Sequence, residues 1–349
     1  MKIIVESHIP FVGDLLDPLG EVAILSPEEI DATSVADADA LIVRTRTRCN
    51  AALLDGSRVR FVATATIGTD HIDLPWCAAH GIKVVNVPGC NAPAVAQYVW
   101  ASVFRLLGGN ATGKTIGVVG LGHVGSLVAE WGARLGAHVL ACDPPRAEVQ
   151  SGWNPASPFC EGTEPFVPLE RIADEADIVT FHTPLTRSGS HPTFHIADGD
   201  FFGSLRRSPI VINAARGPVV DTSALIAALR EGKVSHAVVD CWEGEPHIDP
   251  DLLAMADIAT PHIAGYSVEG KQRATAACIA ELYRFVGKED MIPAGLPVPA
   301  PSLSEKLTGD DFARHIIESY NPSADTSDLK LNPDRFENLR NFYSLRHEA

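Results

Sequence analysis

The sequence predicts an α/β protein built on a doubly wound parallel sheet, accompanied by a smaller α/β domain. Three observations predict it. Short apolar, β-branched runs recur at crossover spacing along most of the chain. One of them leads into Gly120, Gly122 and Gly125, spaced G-x-G-x-x-G. The next run ends in a carboxylate, Asp143, 18 residues beyond Gly125.

Residues 1–90 hold five such runs, at 3–5, 22–25, 41–43, 59–65 and 83–87, with turn or helix patterns between them. Strands a crossover apart imply a small parallel sheet. Pro93 then opens a helix pattern (Val95, Tyr98, Val99, Val103, Leu106, Leu107) that halts at Gly108 and Gly109. Six further runs follow, at 116–120, 138–142, 178–182, 210–214, 236–240 and 257–260. Six strands with intervening helices make a complete doubly wound domain.

The first of these six carries the chemistry. Gly120 permits a tight strand-to-helix turn, Gly122 leaves room for a pyrophosphate against backbone, and Gly125 lets the helix pack close to the sheet. The helix is marked by Val124, Leu127, Val128, Trp131 and Leu135, and its opening N–H groups suit a phosphate anion. Asp143 stands where a ribose 2′-hydroxyl needs an acceptor, and its charge would repel a 2′-phosphate. NAD is therefore expected rather than NADP. The alternative is an ordinary βαβ unit with a glycine turn.

Residues 147–168, including Trp153, read as a surface insertion. Residues 268–286 read as a helix on Ala274, Ala277, Cys278, Leu282 and Phe285. A four-proline linker spans 291–301. The tail is expected as a segment at 303–320, a polar turn at 321–328, and a helix at 332–347 with Phe336, Leu339, Phe342 and Tyr343 on one stripe. It reads as a docking or dimer-forming element, the alternative being a loosely packed extension.

A length of 349 residues suits two or three domains, and 46% hydrophobic with 21% charged residues is a globular composition. A net charge of −16 argues against nucleic-acid binding. No apolar run has the length of a membrane span, and the N-terminus reads as a strand rather than a signal peptide. Seven scattered cysteines without C-x-x-C suggest reduced thiols in a cytoplasmic protein. No metal site is expected, since the best histidine pair, His191 and His195, spans Pro192 in a polar loop.

The chain resembles the D-2-hydroxyacid dehydrogenase family. The general marks are Gly120–Gly125, the run from Asn213 to Asp221, the run from Asp240 to Pro246, and the run from Thr260 to Gly265. Narrower marks lie at 63–71, 88–91, 142–146, 181–184 and 263–271, with a C-terminal likeness at 336–340 and 345–348 that resembles a dimerisation region. The resemblance implies a Rossmann NAD domain at 93–266. It also implies a smaller flavodoxin-like substrate domain at 1–92 with 267–288, and a C-terminal linker and dimerisation region at 289–349. A homodimer is implied. Thr45 stands where serine is usual for substrate contact.

Oxidising a 2-hydroxy acid needs a base for the hydroxyl proton while hydride leaves C2. The resemblance assigns His262 as general acid/base, Glu245 as the carboxylate that orients it, and Arg216 as a two-pronged clamp for the substrate carboxylate. It places Gly120, Gly122, His123, Val124, Gly125, Asp143, Thr183, Ala214, Ala215, Arg216, Asp240 and Gly265 at the cofactor. Asp240 would receive the nicotinamide amide; a strand-end cap is the alternative role. Thr45, Thr66 and Tyr266 match substrate-contact positions. Arg44, Arg46 and Arg48 follow a strand, and strand alternation would aim all three one way, toward the phosphate of a phosphorylated 2-hydroxy acid; a solvated charge run is the alternative. Rival readings are a dehydrogenase of 3-phosphoglycerate or glyoxylate/hydroxypyruvate, and a non-enzymatic NAD-sensing corepressor-like protein.

Overall fold

The structure is a computed structural model that describes residues 1–156, 162, 164–299 and 307–349. Expectations that touch 157–161, 163 and 300–306, among them Cys160 and the start of the tail segment, lie outside the described residues. The chain forms two compact units, Met1–Asn91 with Ser267–Pro301, and Ala92–Tyr266 with Ser302–Ala349.

The first unit holds β1 (Lys2–Glu6), β2 (Glu21–Leu25), β3 (Ala40–Val43), β4 (Phe61–Thr64) and β5 (Lys83–Val85), all parallel in the order β2-β1-β3-β4-β5. That is the flavodoxin-like order the resemblance implied. Every residue of β3 and β4 is buried, because a parallel sheet is covered on both faces and its strands become continuous apolar runs. The helix Val268–Phe285 supplies Ala274, Cys278, Ile279 and Leu282 to one face, against Ile3, Val5 and Phe61. Leu53, Leu54 and Cys77 cover the other.

One expectation in this unit fails. After β3 the chain turns, with Thr47 N–H donating to the Arg44 carbonyl (3.3 Å). The arginines therefore do not alternate as on a strand. Glu6, buried at the end of β1, causes the turn: its Oε2 accepts from both Arg44 N and Thr47 Oγ1 at 2.8 Å. The Arg44 guanidinium donates to the His8 carbonyl, while Thr45, Arg46 and Arg48 are exposed.

The second unit holds β6 (Thr115–Val119), β7 (His138–Cys142), β8 (Ile178–Phe181), β9 (Ile210–Asn213), β10 (His236–Val239) and β11 (Ile258–Ala259). These six run parallel in the order β11-β10-β9-β8-β6-β7, and a parallel bridge from Ala141 to Phe166 continues the sheet beyond β7. The doubly wound α/β class is borne out. β11 is shorter than its apolar run suggested, since the chain leaves the sheet to form the loop that carries His262. The helix Ala92–Leu107 is buried over most of its length, with Trp100 Nε1 donating to the Val128 carbonyl. Trp153 is not a surface residue. It is 1% exposed within the core of this unit, and its backbone pairs with Glu164. A large indole among Gly, Pro and Ser has most to gain from burial there.

The tail packs on the second unit of its own chain. Residues 321–328, expected as a turn, begin a helix, Pro322–Leu331, opened by the Asn321 side chain capping Ser323 N with proline next. Asn-Pro is a helix-start signal, and a buried Leu329 anchors the segment. Thr326 Oγ1 accepts from Ala259 N (3.1 Å), satisfying the outer edge of β11. The last helix is only Phe336–Asn341. Phe336 is buried but Phe342 is 78% exposed, so the expected four-residue stripe is broken after Leu339.

Candidate active site

Parallel strands deliver the ends of neighbouring strands to one edge of a sheet. Arg216 follows β9, Glu245 follows β10 and His262 follows β11, and these three strands are adjacent. Their loops are knitted together. Asn213 Nδ2 donates to the carbonyls of Arg216, Gly217 and Cys241. His262 N–H donates to the Asp240 carbonyl (2.9 Å), and Trp242 Nε1 to that of Thr260 (2.9 Å).

His262 Nδ1 donates to Glu245 Oε1 at 2.6 Å, while Glu245 Oε2 accepts from Trp242 N at 3.2 Å. A carboxylate only accepts, so Nδ1 carries a proton and Nε2 is the nitrogen whose protonation can change. The backbone at His262 is left-handed (φ 57°). For a side-chain-bearing residue this costs about 1 kcal/mol or more, and the surrounding hydrogen bonds sustain it. Burial opposes a charged imidazole here, but Cys241 and Glu245 outweigh it and hold His262 well above the usual histidine range. Burial also raises the Cys241 thiol, leaving it protonated, so Glu245 supplies the negative charge. Burial would raise Glu245 in turn; its hydrogen bond to His262 and the Arg340 guanidinium bring it below the usual carboxylate range.

Asp240 is 1% exposed and accepts from Thr260 Oγ1 (2.7 Å), Ile263 N (2.8 Å) and Ala264 N (3.0 Å). The strand-end cap is thus what Asp240 does in this structure: it holds the loop bearing His262. The Arg216 guanidinium donates to the Ala215 carbonyl (2.8 Å). In the first unit, Thr66 Oγ1 donates to the Gly68 carbonyl and shares a 2.7 Å hydrogen bond with Thr64.

Of the residues expected at the cofactor, Gly120, Gly122, His123, Val124, Gly125, Asp143 and Thr183 lie at or just beyond the ends of β6, β7 and β8. Gly120 has φ 90°, which a side chain would strain. A Cβ at Gly125 would lie 1.8 Å from the Gly120 carbonyl oxygen, whereas one at Gly122 would meet nothing within 4 Å. Gly125→Ala is therefore expected to destabilise the chain by about 1–3 kcal/mol, read as a lowered urea midpoint together with weaker NADH binding; Gly122→Ala should leave the midpoint nearly unchanged. His123 and Val124 open the helix His123–Arg134, whose first N–H groups have no side-chain cap at Gly122. Asp143 Oδ2 accepts from Leu121 N (2.7 Å), binding the end of β7 to the glycine turn.

Two buried polar atoms beside this turn, Thr183 Oγ1 and His182 Nδ1, have no partner among the described residues. Burial pushes His182 down to about 3, so it is neutral. An open face at Gly122, a helix N-terminus, a hydroxyl without a partner among the described residues and a carboxylate are a donor and acceptor set that fits a dinucleotide. Ala214 and Ala215 stand at the end of the neighbouring β9, Ala215 buried, and Gly265 lies in the loop after β11.

Sequence reasoning missed Arg340 and Arg346. Arg340 Nη1 lies 3.9 Å from Glu245 Oε1. Arg346 donates to the carbonyls of Ile263 (3.1 Å), Tyr266 (3.1 Å) and Ala264. No spacing rule links residues so distant in the chain; their basic character inside a motif that resembles a dimerisation region was the only signal.

Comparisons with known proteins agree with this geometry. Residues 91–264 match the family model for the NAD-binding domain of D-isomer specific 2-hydroxyacid dehydrogenases. The chain is 44% identical to the erythronate-4-phosphate dehydrogenase of Bacteroides thetaiotaomicron, over 100% of its own length and 97% of the relative's. It is 39% identical to that of Escherichia coli O157:H7, covering 100% and 92%. Among solved structures, the TT0316 protein of Thermus thermophilus is 28% identical, with a TM-score of 0.69 over 83% of this chain and 98% of that one. The D-lactate dehydrogenase of Aquifex aeolicus in complex with NAD and lactic acid shares the fold, at 24% identity and a TM-score of 0.67 over 86% and 100%. Among the described residues no helix is long and apolar enough to cross a membrane. The chain belongs to the D-isomer-specific 2-hydroxyacid dehydrogenases, the NAD-dependent family that includes its erythronate-4-phosphate dehydrogenase relatives.

Proposed function

We propose that the chain oxidises C2 of 4-phospho-D-erythronate to (R)-3-hydroxy-2-oxo-4-phosphooxybutanoate with NAD, a step in the synthesis of pyridoxal 5′-phosphate. The observation that carries this reading is the 2.6 Å Glu245–His262 pair, set on adjacent strand ends with Arg216 in a chain whose full-length relatives bear that name. NAD, when bound, takes the hydride from C2. His262 Nε2 takes the C2 hydroxyl proton, and Glu245 orients the ring and stabilises its charged form. Arg216 grips the substrate carboxylate through two parallel hydrogen bonds. Thr45, Thr66 and Tyr266 contact the substrate, and Arg44 and Arg46 offset its phosphate charge.

On the cofactor, His123 and Val124 flank the pyrophosphate, Asp143 takes the adenosine ribose, and Thr183, Ala214 and Asp240 line the nicotinamide side. In this reading residues 1–92 with 267–288 are the substrate domain, 93–266 the NAD domain, and 289–349 a linker and dimerisation region. The chain then works as a cytoplasmic homodimer.

The test is NADH formation with 4-phospho-D-erythronate beside 3-phospho-D-glycerate. The first should give a kcat/KM at least about tenfold higher, because a site built for a substrate polar group loses more than 1.4 kcal/mol when that group is misplaced. Preference for the second would end the substrate assignment while leaving the family untouched.

A further inference from the structure

We propose that the C-terminal segment carrying Arg340 and Arg346 is a working part of the active site of its own chain, with Arg340 as a positioning residue for the Glu245–His262 pair. The inference rests on those two residues being the acid/base pair.

The segment reaches the site from the far end of the sequence. Buried Phe336 anchors the short helix Phe336–Asn341 to the core of the second unit. Arg340, only 17% exposed, then lies with Nη1 3.9 Å from Glu245 Oε1, the same oxygen that accepts from His262. Arg346 works on the backbone of the loop bearing His262. Besides the carbonyls of Ile263, Ala264 and Tyr266, it donates to Ala94 O (3.1 Å) and Gln97 Oε1 (3.0 Å) on the helix Ala92–Leu107, and lies 4.2 Å over the Tyr320 ring. A half-buried guanidinium with this many acceptors is geometrically committed. The loop is therefore held from two directions: Asp240 accepts from the N–H groups of Ile263 and Ala264, and Arg346 donates to their carbonyls.

Two effects follow from Arg340. It fixes the carboxylate that orients His262, so that the reactive nitrogen keeps its aim. It also adds a positive charge to a cluster in which Asp240 and Cys241 come from the end of β10, His262 and Tyr266 from the loop after β11, and Arg346 and Tyr343 from the tail. A cation there disfavours a second cation on the imidazole. Arg340 thus limits how far Glu245 can raise the basicity of His262.

The experiment compares Arg340→Gln, Arg340→Lys and His262→Asn in the full-length protein, measuring kcat, KM and the pH dependence of kcat/KM for oxidation. Arg340→Gln should lower kcat about 10–100-fold with a smaller change in KM. It should also move the acidic limb of the profile up by about half a pH unit or more, because the imidazole loses its cationic neighbour. Arg340→Lys should keep the limb near its wild-type position and recover part of kcat, which gives a second reading if the glutamine variant folds poorly. A limb that stays in place in Arg340→Gln, whatever happens to its melting temperature, overturns the inference. If His262→Asn keeps turnover, the underlying acid/base reading is what fails.

Discussion

His262→Asn lowers kcat for oxidation by about 10²–10⁴-fold, the usual contribution of a positioned general base, and leaves NADH affinity within a few-fold of wild type. Asparagine can still donate toward Glu245, so the loop is not stripped of its partner, but it cannot take a proton. The pH dependence follows from the same geometry. Oxidation needs the neutral imidazole. His262 is held above its ordinary value, about 6.5, so kcat/KM for oxidation falls as pH drops through a limb placed above that value. The reverse reaction needs the protonated ring and is lost as pH rises through the same region. Glu245→Gln removes the charge that holds the imidazolium, so its acidic limb moves down toward the ordinary histidine range, with a fall in kcat from the loosened ring. Stopped-flow NADH formation across pH 5 to 10 checks all of this. Near-normal turnover by His262→Asn would remove His262 as the base.

Arg216→Lys should be nearly as damaging as Arg216→Ala. Two charge-assisted hydrogen bonds to a carboxylate contribute about 3 kcal/mol or more together, two orders of magnitude or more in kcat/KM. A lysine offers one compact charge and no planar fork. The backbone around Arg216 is fixed by Asn213, whose amide holds the carbonyls of Arg216, Gly217 and Cys241, so the loss should fall on catalysis rather than folding. The outcome that counts against the clamp is an Arg216→Lys enzyme with kcat/KM within about threefold of wild type and an unchanged melting temperature.

The two sheets were legible because each strand is a short apolar run, and the inner strands such as β3 and β4 are buried on both faces, a local pattern needing no knowledge of partners. The glycine turn was legible for a related reason: Gly120 and Gly125 have specific steric duties, a left-handed backbone and a 1.8 Å approach that excludes any Cβ. The helix Pro322–Leu331 was read as a turn because its polar residues outnumber its apolar ones, although Asn321 and Pro322 signal a helix start. Strand alternation predicts one direction for Arg44, Arg46 and Arg48, but buried Glu6, from another strand, turns the chain first.

By itself the sequence determined the strand set and the dinucleotide turn, which rest on residue type and short-range spacing, while its resemblance to a known family, carried by longer motifs, named Arg216, Glu245 and His262 as candidates. Only the tertiary structure decided that Asp240 holds the loop bearing His262, that Trp153 is core, and that Arg340 and Arg346 return from the chain's end to the Glu245–His262 pair. Those contacts depend on which strands lie side by side and where a short anchored helix docks. Periodicity within a segment carries no information about a contact closed by the folding of everything between its two ends.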